Sequence, residues 1–299
     1  MKTGSPKKPL IGIVGQGFVG KGYADDFERR KFRVVRYSLE HPHIQNKHRI
    51  QDAHIVFVCV PTPTTPKGFD VSIVEETLAL IGRGSIAVIK STLLPGTTAQ
   101  LQKKFAHITI IFSPEFLNAA TATEDAANPF ANVLGIPSLG QRHRKAAELV
   151  HHILPKSPFA HTCSSEEAEI YKYAHNVSGY MQVLVYNMMY DLAQGHGADW
   201  DAIHKALVAD PMVSNWYIKP VHKSGRGAGG TCFIKDFAAF ARHYGKIVGK
   251  PEGIALLKAA EKKNIALLVG SKKDPHLLRG VYGKKVLKRP ARAKKKGKR

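Results

Sequence analysis

The sequence predicts an α/β fold, a doubly wound parallel sheet followed by an all-α half, and three observations predict it. From residue 10 to about 160, short β-branched runs alternate with amphipathic stretches at the spacing that βαβ units produce. A glycine-rich turn, Gly15-Gln16-Gly17-Phe18-Val19-Gly20, stands between the first such run and a helix-like stretch ending near Arg30. After Ser164 the strand-like runs stop and helical segments follow one another to about residue 270.

The strands are expected at residues 11–14, 32–37, 54–60, 85–90 and 108–112, with glycine and proline punctuating the turns. Ser164 and Glu167 have the spacing of a capping box that opens a helix running to about Gln194. Residues 284–299 carry ten of the net 22 positive charges, with no acid and no apolar period, and are expected to be disordered. The expected organisation is therefore a nucleotide-binding domain at 1–162, a helical domain at 163–283 and a basic tail at 284–299, which is either a solubility tail or a contact for polyanions. No apolar run approaches the roughly 20 residues of a membrane span, and the charged N-terminus leads straight into a strand, so a cytoplasmic protein without membrane contact is expected. The three cysteines suggest neither a disulfide framework nor a metal site.

The glycine loop points to a dinucleotide. Gly15, Gly17, Phe18, Val19 and Gly20 sit where a tight turn brings a pyrophosphate to a helix N-terminus. An acid that holds the ribose hydroxyls of NAD is expected about 20 residues on, but the second strand ends Arg36-Tyr37-Ser38, and the nearest acid is Glu40. Arginine and a small hydroxyl suit a 2′-phosphate, which leaves NADP open beside NAD; the alternatives are a solvated Arg36 or a Glu40 that reaches back. Three later strands run into Pro61-Thr62-Pro63, Ser91-Thr92 and Ser113-Pro114-Glu115. In open parallel sheets such ends converge on a ligand crevice, with Glu115 as its carboxylate for acid–base work.

In the helical half, Lys172 and Asn176 lie one turn apart and offer a cation and a directed donor to an oxyanion, or else form an exposed polar pair. The segment Gly225-Arg226-Gly227-Ala228-Gly229-Gly230-Thr231-Cys232-Phe233-Ile234-Lys235-Asp236 lets backbone approach a ligand. Thr231 is expected to cap a helix starting at Cys232, whose thiolate the helix N-terminus favours, with Asp236 one turn later. Cys232 reads as a nucleophile, Cys59 and Cys163 as small buried hydrophobes.

With these motifs in order (GQGFVG, VPTPT, STLLPGTT, SPEFL, YKYAHN and GAGGTCFIKD) the chain resembles the UDP-glucose/GDP-mannose dehydrogenase family over residues 11–270. The resemblance implies a Rossmann domain joined by a long helix to an α-helical dimerisation domain, a homodimer formed through the central helices, and oxidation of the primary alcohol of a nucleotide sugar to a carboxylate with two NAD. It implies a catalytic Cys232, with Lys172, Asn176, Asp236, Glu115 and Thr92 around it. It implies substrate contacts at Glu115, Phe116, Leu117, Lys172, Asn176 and Gly229, and cofactor contacts at the glycine loop, Arg36, Ser38, Pro61, Thr62, Ser91, Thr92 and Lys235. Four departures stand out. The family's third, nucleotide-gripping domain is replaced here by the basic tail; the second carboxylate expected after Glu115 is Ala119; Pro129 is followed by Phe130, Ala131 and Asn132 without the usual arginine; and Ser38 replaces the ribose acid. A second polypeptide that grips the nucleotide, or a smaller substrate, would accommodate the first. The competing readings are a β-hydroxyacid dehydrogenase, which uses a Lys-x-x-x-Asn helix and no cysteine, and a catalytically silent relative that binds polyanions.

Overall fold

The computed structural model describes residues 8–214 and 216–287. The chain begins β1 (Ile11–Val14), α1 (Phe18–Arg29), β2 (Val34–Tyr37), β3 (Ile55–Val58), β4 (Thr64–Thr65), β5 (Gly68–Phe69), α2 (Ser72–Leu78), β6 (Ile86–Ile89), α3 (Thr97–Lys104) and β7 (Thr109–Phe112). It continues α4 (Ala122–Ala127), β8 (Ala131–Ile136), α5 (Gln141–Ile153), β9 (Phe159–Ser164), α6 (Ser165–His196) and α7 (Trp200–Ala209). The rest is β10 (Val221–His222), β11 (Gly225–Arg226), α8 (Gly230–Ile247), α9 (Pro251–Gly270), α10 (Pro275–Tyr282) and a 3-10 turn at Lys284–Leu287. The described residues form two compact units: 8–62 with 70–172, and 63–69 with 173–214 and 216–287.

The first unit is built on a seven-stranded sheet of order β2-β1-β3-β6-β7-β8-β9. β1, β3, β6 and β7 are buried along their whole length, as their unbroken apolar runs require of strands covered on both faces. Ile11, Ile13, Phe27, Phe57, Val88, Ile111, Leu134 and Val150 share one core. From β1 the chain passes to β2 on one side and returns to β3 on the other, so the direction of winding switches between β1 and β3. The sheet is parallel as expected except at one pairing: β8 runs antiparallel to β7 and parallel to β9. Neither strand carries a legible pattern, since β8 contains Asn132 and Gly135, and β9 is a sheet edge whose first four side chains are exposed.

The capping box at the start of α6 forms reciprocally: the Ser164 N–H donates to Glu167 Oε2 at 2.8 Å, and the Glu167 N–H to Ser164 Oγ at 3.3 Å. One turn on, the buried Glu169 carboxylate accepts from the Gly96 N–H (2.7 Å), the Thr98 N–H (2.8 Å) and the Thr98 hydroxyl (2.6 Å), which closes the N-terminus of α3. Burial outweighs these bonds and pushes its pKa up to about 7.

In the second unit, residues 173–196 of α6 pack with α8 and α9, the Tyr180 and Phe237 rings stacking at 3.8 Å between centroids. A further cluster joins Ile234, Ala238, Leu268, Leu278 and Val281. The β4–β5 hairpin belongs to this unit, tied by a bond from the Arg242 guanidinium to the Thr65 carbonyl at 2.6 Å. The boundary expected at residue 162 thus falls inside α6, after Lys172, because that helix begins on the sheet and continues as the first helix of the second unit. Lys284–Leu287, expected to open a disordered tail, forms a 3-10 turn whose Val286 and Leu287 pack on the Leu278 cluster. The remainder of that tail, 288–299, lies outside the described residues. Among the described residues, no helix is long and apolar enough to cross a membrane.

Glu169→Ala strands two buried N–H groups and a hydroxyl, and should lower unfolding stability by about 2–4 kcal/mol in a urea titration. Because the folded carboxyl keeps its proton up to about pH 7, wild-type stability should fall as pH rises from about 4.5 to 7, a slope missing from Glu169→Ala melts.

Candidate active site

At the end of β1 backbone packs on backbone. A Cβ on Gly15, whose φ is +90°, would strike the Cys59 carbonyl, and one on Gly20 would strike the Gly15 carbonyl. Gly17 caps α1 without any side-chain hydrogen bond, and a Cβ there would meet nothing within 4 Å. The loop is therefore closed on its inner side and open on its outer side, where Phe18 and Val19 begin the helix; this fits a pyrophosphate resting on the N–H groups of the first turn. Beside it, Ser91 Oγ donates to the Val60 carbonyl at 2.6 Å, Thr62, Ser91 and Thr92 are buried, and Pro61 is exposed.

Arg36, for which the sequence leaves a cofactor phosphate or a solvated side chain open, turns to α1. Its guanidinium donates to Asp25 at 2.7 Å and to both Glu28 oxygens at 2.9 and 2.7 Å, with only 15% of the side chain exposed. Two carboxylates thus occupy the fork and hold its pKa up. Ser38 Oγ makes a local turn, donating to the Glu40 carbonyl at 3.2 Å and accepting from the Glu40 N–H at 3.4 Å.

After β7, Glu115 and Lys172 come together: Lys172 Nζ lies 3.5 Å from Glu115 Oε1 and also donates to the Glu115 carbonyl. The Leu117 N–H donates to Glu115 Oε2 at 2.9 Å, and Lys172 lies 4.9 Å from the centroid of the Phe116 ring, which packs on Phe130 and Tyr171. Lys172 is buried, which removes the reading of an exposed polar pair. One residue here was missed from the sequence. Lys90 is buried at the end of β6, donates to Ser113 Oγ at 2.8 Å, and sits 4.4 Å from the centroid of the Tyr23 ring. Burial pushes its pKa down to about 8, against the pull of Cys59 and Glu115. Burial pushes the Cys59 thiol up to about 12, which disfavours a thiolate there. A lysine at the end of an apolar run reads as a strand terminus, and only its neighbour Ser91-Thr92 drew attention to the place.

In the second unit, Asn176 Nδ2 donates to Asp236 Oδ2 at 2.7 Å and Lys235 Nζ to Asp236 Oδ1 at 2.6 Å, all on α6 and α8. Both Asn176 and Asp236 are buried. α8 starts at Gly230 with Gly229 as its cap, not at Cys232 with Thr231 as cap, because Asp274 Oδ2 takes the Gly230 N–H at 2.7 Å. Cys232 consequently lies inside the first turn, one turn ahead of Asp236, and is half-buried. The preceding loop is gripped from a distance in sequence: Asn264 accepts from the Ala228 N–H at 2.7 Å and donates to its carbonyl at 3.0 Å, and Lys273 donates to the Gly227 carbonyl at 2.9 Å. The Arg226 fork binds Asn187 and Asp191 on α6. None of these partners carries a sequence signal. Among the described residues no cluster of three or more histidine, cysteine or acidic side chains could hold a metal ion.

A switch-point sheet with an open glycine loop, followed by a helical unit, defines a Rossmann-type dinucleotide-binding oxidoreductase fold. Residues 41–154 match the NAD binding domain, and residues 166–265 the central domain, of the UDP-glucose/GDP-mannose dehydrogenase family, together 214 of the 299 residues. The chain belongs to that family. It is 28% identical to a UDP-glucose 6-dehydrogenase of Campylobacter jejuni over 84% of its own length and 64% of the relative's. It superposes on a UDP-glucose dehydrogenase of Pyrobaculum islandicum with a TM-score of 0.74 at 25% identity, covering 93% of this chain and 72% of that one. A 3-hydroxyisobutyrate dehydrogenase of Salmonella typhimurium shares the fold at 13% identity, with a TM-score of 0.62 over 85% of this chain and 95% of that one. The chain spans about half the length of the curated relatives it matches.

Asp25 and Glu28 take the Nε and Nη2 donors of Arg36 and hold its side chain against α1. Arg36→Ala should change the dissociation constant of NADPH, titrated by fluorescence, by less than about threefold, or about 0.7 kcal/mol.

Proposed function

We propose that the protein is an NAD-dependent dehydrogenase that oxidises the primary alcohol of a UDP-glucose-like nucleotide sugar to a carboxylate through a covalent Cys232 intermediate. The observation that carries this reading is the buried Asp236, bonded to Asn176 and Lys235 one turn beyond Cys232, in a chain of this family. NAD, held at the glycine loop of Gly15, Gly17 and Gly20, would supply the hydride acceptor.

The alcohol gives up a hydride and a proton and becomes an aldehyde. Cys232 Sγ adds as a thiolate to the aldehyde carbon, and protonation of the oxygen completes a thiohemiacetal. Loss of the second hydride and that proton leaves a thioester. Water then adds, the C–S bond breaks, the thiolate is restored and the carboxylic acid leaves, so each turnover reduces two NAD and consumes one water. Cys232 lies in the first turn of α8, where N–H groups without intrahelical acceptors would support a thiolate, although Asp274 takes the first of them. Lys172 stabilises the oxyanions with its ammonium, and the Asn176 amide, oriented by Asp236, does so with its second N–H. Glu115 or Asp236, with Thr92, takes the proton of the hydrolytic water. Phe116, Leu117 and Gly229 face the substrate, and Lys235 serves the cofactor. NAD is favoured over NADP because Arg36 is held by carboxylates. A homodimer through the central helices, a cytoplasmic location and a polyanion contact of the basic tail remain part of this reading.

With UDP-glucose and NAD, two NADH should form per sugar oxidised. Cys232→Ser should lower the overall four-electron oxidation by at least about a thousandfold, because an alkoxide cannot replace the thiolate. One NADH per substrate, or full activity in the serine variant, would sink the covalent route and favour the hydroxyacid dehydrogenase reading.

A further inference from the structure

Lys90 is charged chemistry in a place where burial is costly, and the reaction above does not use it. Its ammonium is enclosed at the end of β6 and donates to Ser113 Oγ, 23 residues away at the end of β7. Ser113 opens the segment Ser113-Pro114-Glu115. The Ser113 N–H already donates to the Ile89 carbonyl at 2.8 Å, so backbone and side chain clamp the segment's root to the strand that carries Lys90. Two residues on, the Glu115 carbonyl accepts from Lys172, and its carboxylate accepts from the Leu117 N–H.

We propose that Lys90 is a positioning residue for Glu115: through Ser113 its buried ammonium fixes the segment that carries the carboxylate, and it supplies a second cation beside Lys172 within electrostatic reach of that carboxylate. The proposal rests on the role given to Glu115 above. A bare structural lysine would be poorly placed, since an isostere without charge would fill the same space at no desolvation cost. The groups acting on the ammonium come from every side: the Tyr23 ring on α1, Cys59 after β3, Glu115 after β7 and Lys172 on α6. Burial holds its pKa down to about 8, so the cation's contribution should fade as the pH rises past that value.

The test compares wild type, Lys90→Met and Ser113→Ala as full chains. The Leu117 amide reports the carboxylate directly, because it donates to Glu115 Oε2. Its hydrogen-exchange rate should rise about tenfold in both variants, while amides of β1 and α1 keep their wild-type rates. With UDP-glucose and NAD, kcat should fall about tenfold or more in Lys90→Met with the NADH dissociation constant unchanged, and the fall of wild-type kcat above pH 8 should be absent from that variant. An unchanged Leu117 exchange rate overturns the proposal, as does a Lys90→Met enzyme with wild-type kcat and an intact alkaline limb. If Lys90→Met fails to fold, Ser113→Ala decides by the same exchange measurement. A wild type that oxidises no nucleotide sugar refutes the proposed function alone, and the exchange rates still decide whether Lys90 holds Glu115.

Discussion

Backbone meets backbone where β1 ends, and the first unit is organised around that contact. A Cβ at Gly15 would strike the Cys59 carbonyl after β3, and a Cβ at Gly20 the carbonyl of Gly15 itself. With neither present, the chain turns in a few residues and starts α1 against the sheet at the point where the winding reverses. The first-turn N–H groups of α1 then share an edge with the ends of β3, β6 and β7, which carry Cys59, Lys90 and Ser113 to Glu115. A larger side chain at either glycine would push α1 off the sheet and open that edge.

The polar residues gathered near that edge are buried, and burial dictates how they are held. An unpaired charge in such surroundings costs several kcal/mol, so each has acquired a bonded neighbour. Lys90 has Ser113, Lys172 has Glu115, and Glu169 has three donors at the start of α3. In the second unit Asp236 has Asn176 and Lys235. These bonds fix rotamers, which is what a site needs if its groups are to meet reacting atoms without reorganising.

α6 is the element on which both arrangements depend. Its first turns cap α3 through Glu169 and reach Glu115 through Lys172; one turn later it orients Asp236 through Asn176, and further on it anchors the Gly225 loop through Asn187 and Asp191. Lys172 and Asn176 thus have a spacing set by the helix itself, whatever else the two units do.

The glycine loop, the central buried strands, the capping box at Ser164 and the helical spacings of Lys172 with Asn176 and of Cys232 with Asp236 were legible because each rests on local chemistry. Glycine where no Cβ fits, unbroken β-branched runs and fixed helical spacing are properties of neighbouring residues. Family resemblance then supplied roles that spacing alone left open. The rest depended on partners far along the chain. Arg36 reads as a phosphate ligand or a solvated cation, and nothing local shows that α1 presents Asp25 and Glu28 to it. Thr231 reads as a helix cap until Asp274, 44 residues beyond Gly230, takes that helix's first N–H. Lys90 reads as the polar end of a strand until Ser113 and Tyr23 enclose it. Sequence records which side chains can bond or bear charge; which of them actually meet is set by the packing of elements far apart in the chain, because a hydrogen bond or ion pair acts over only a few ångströms.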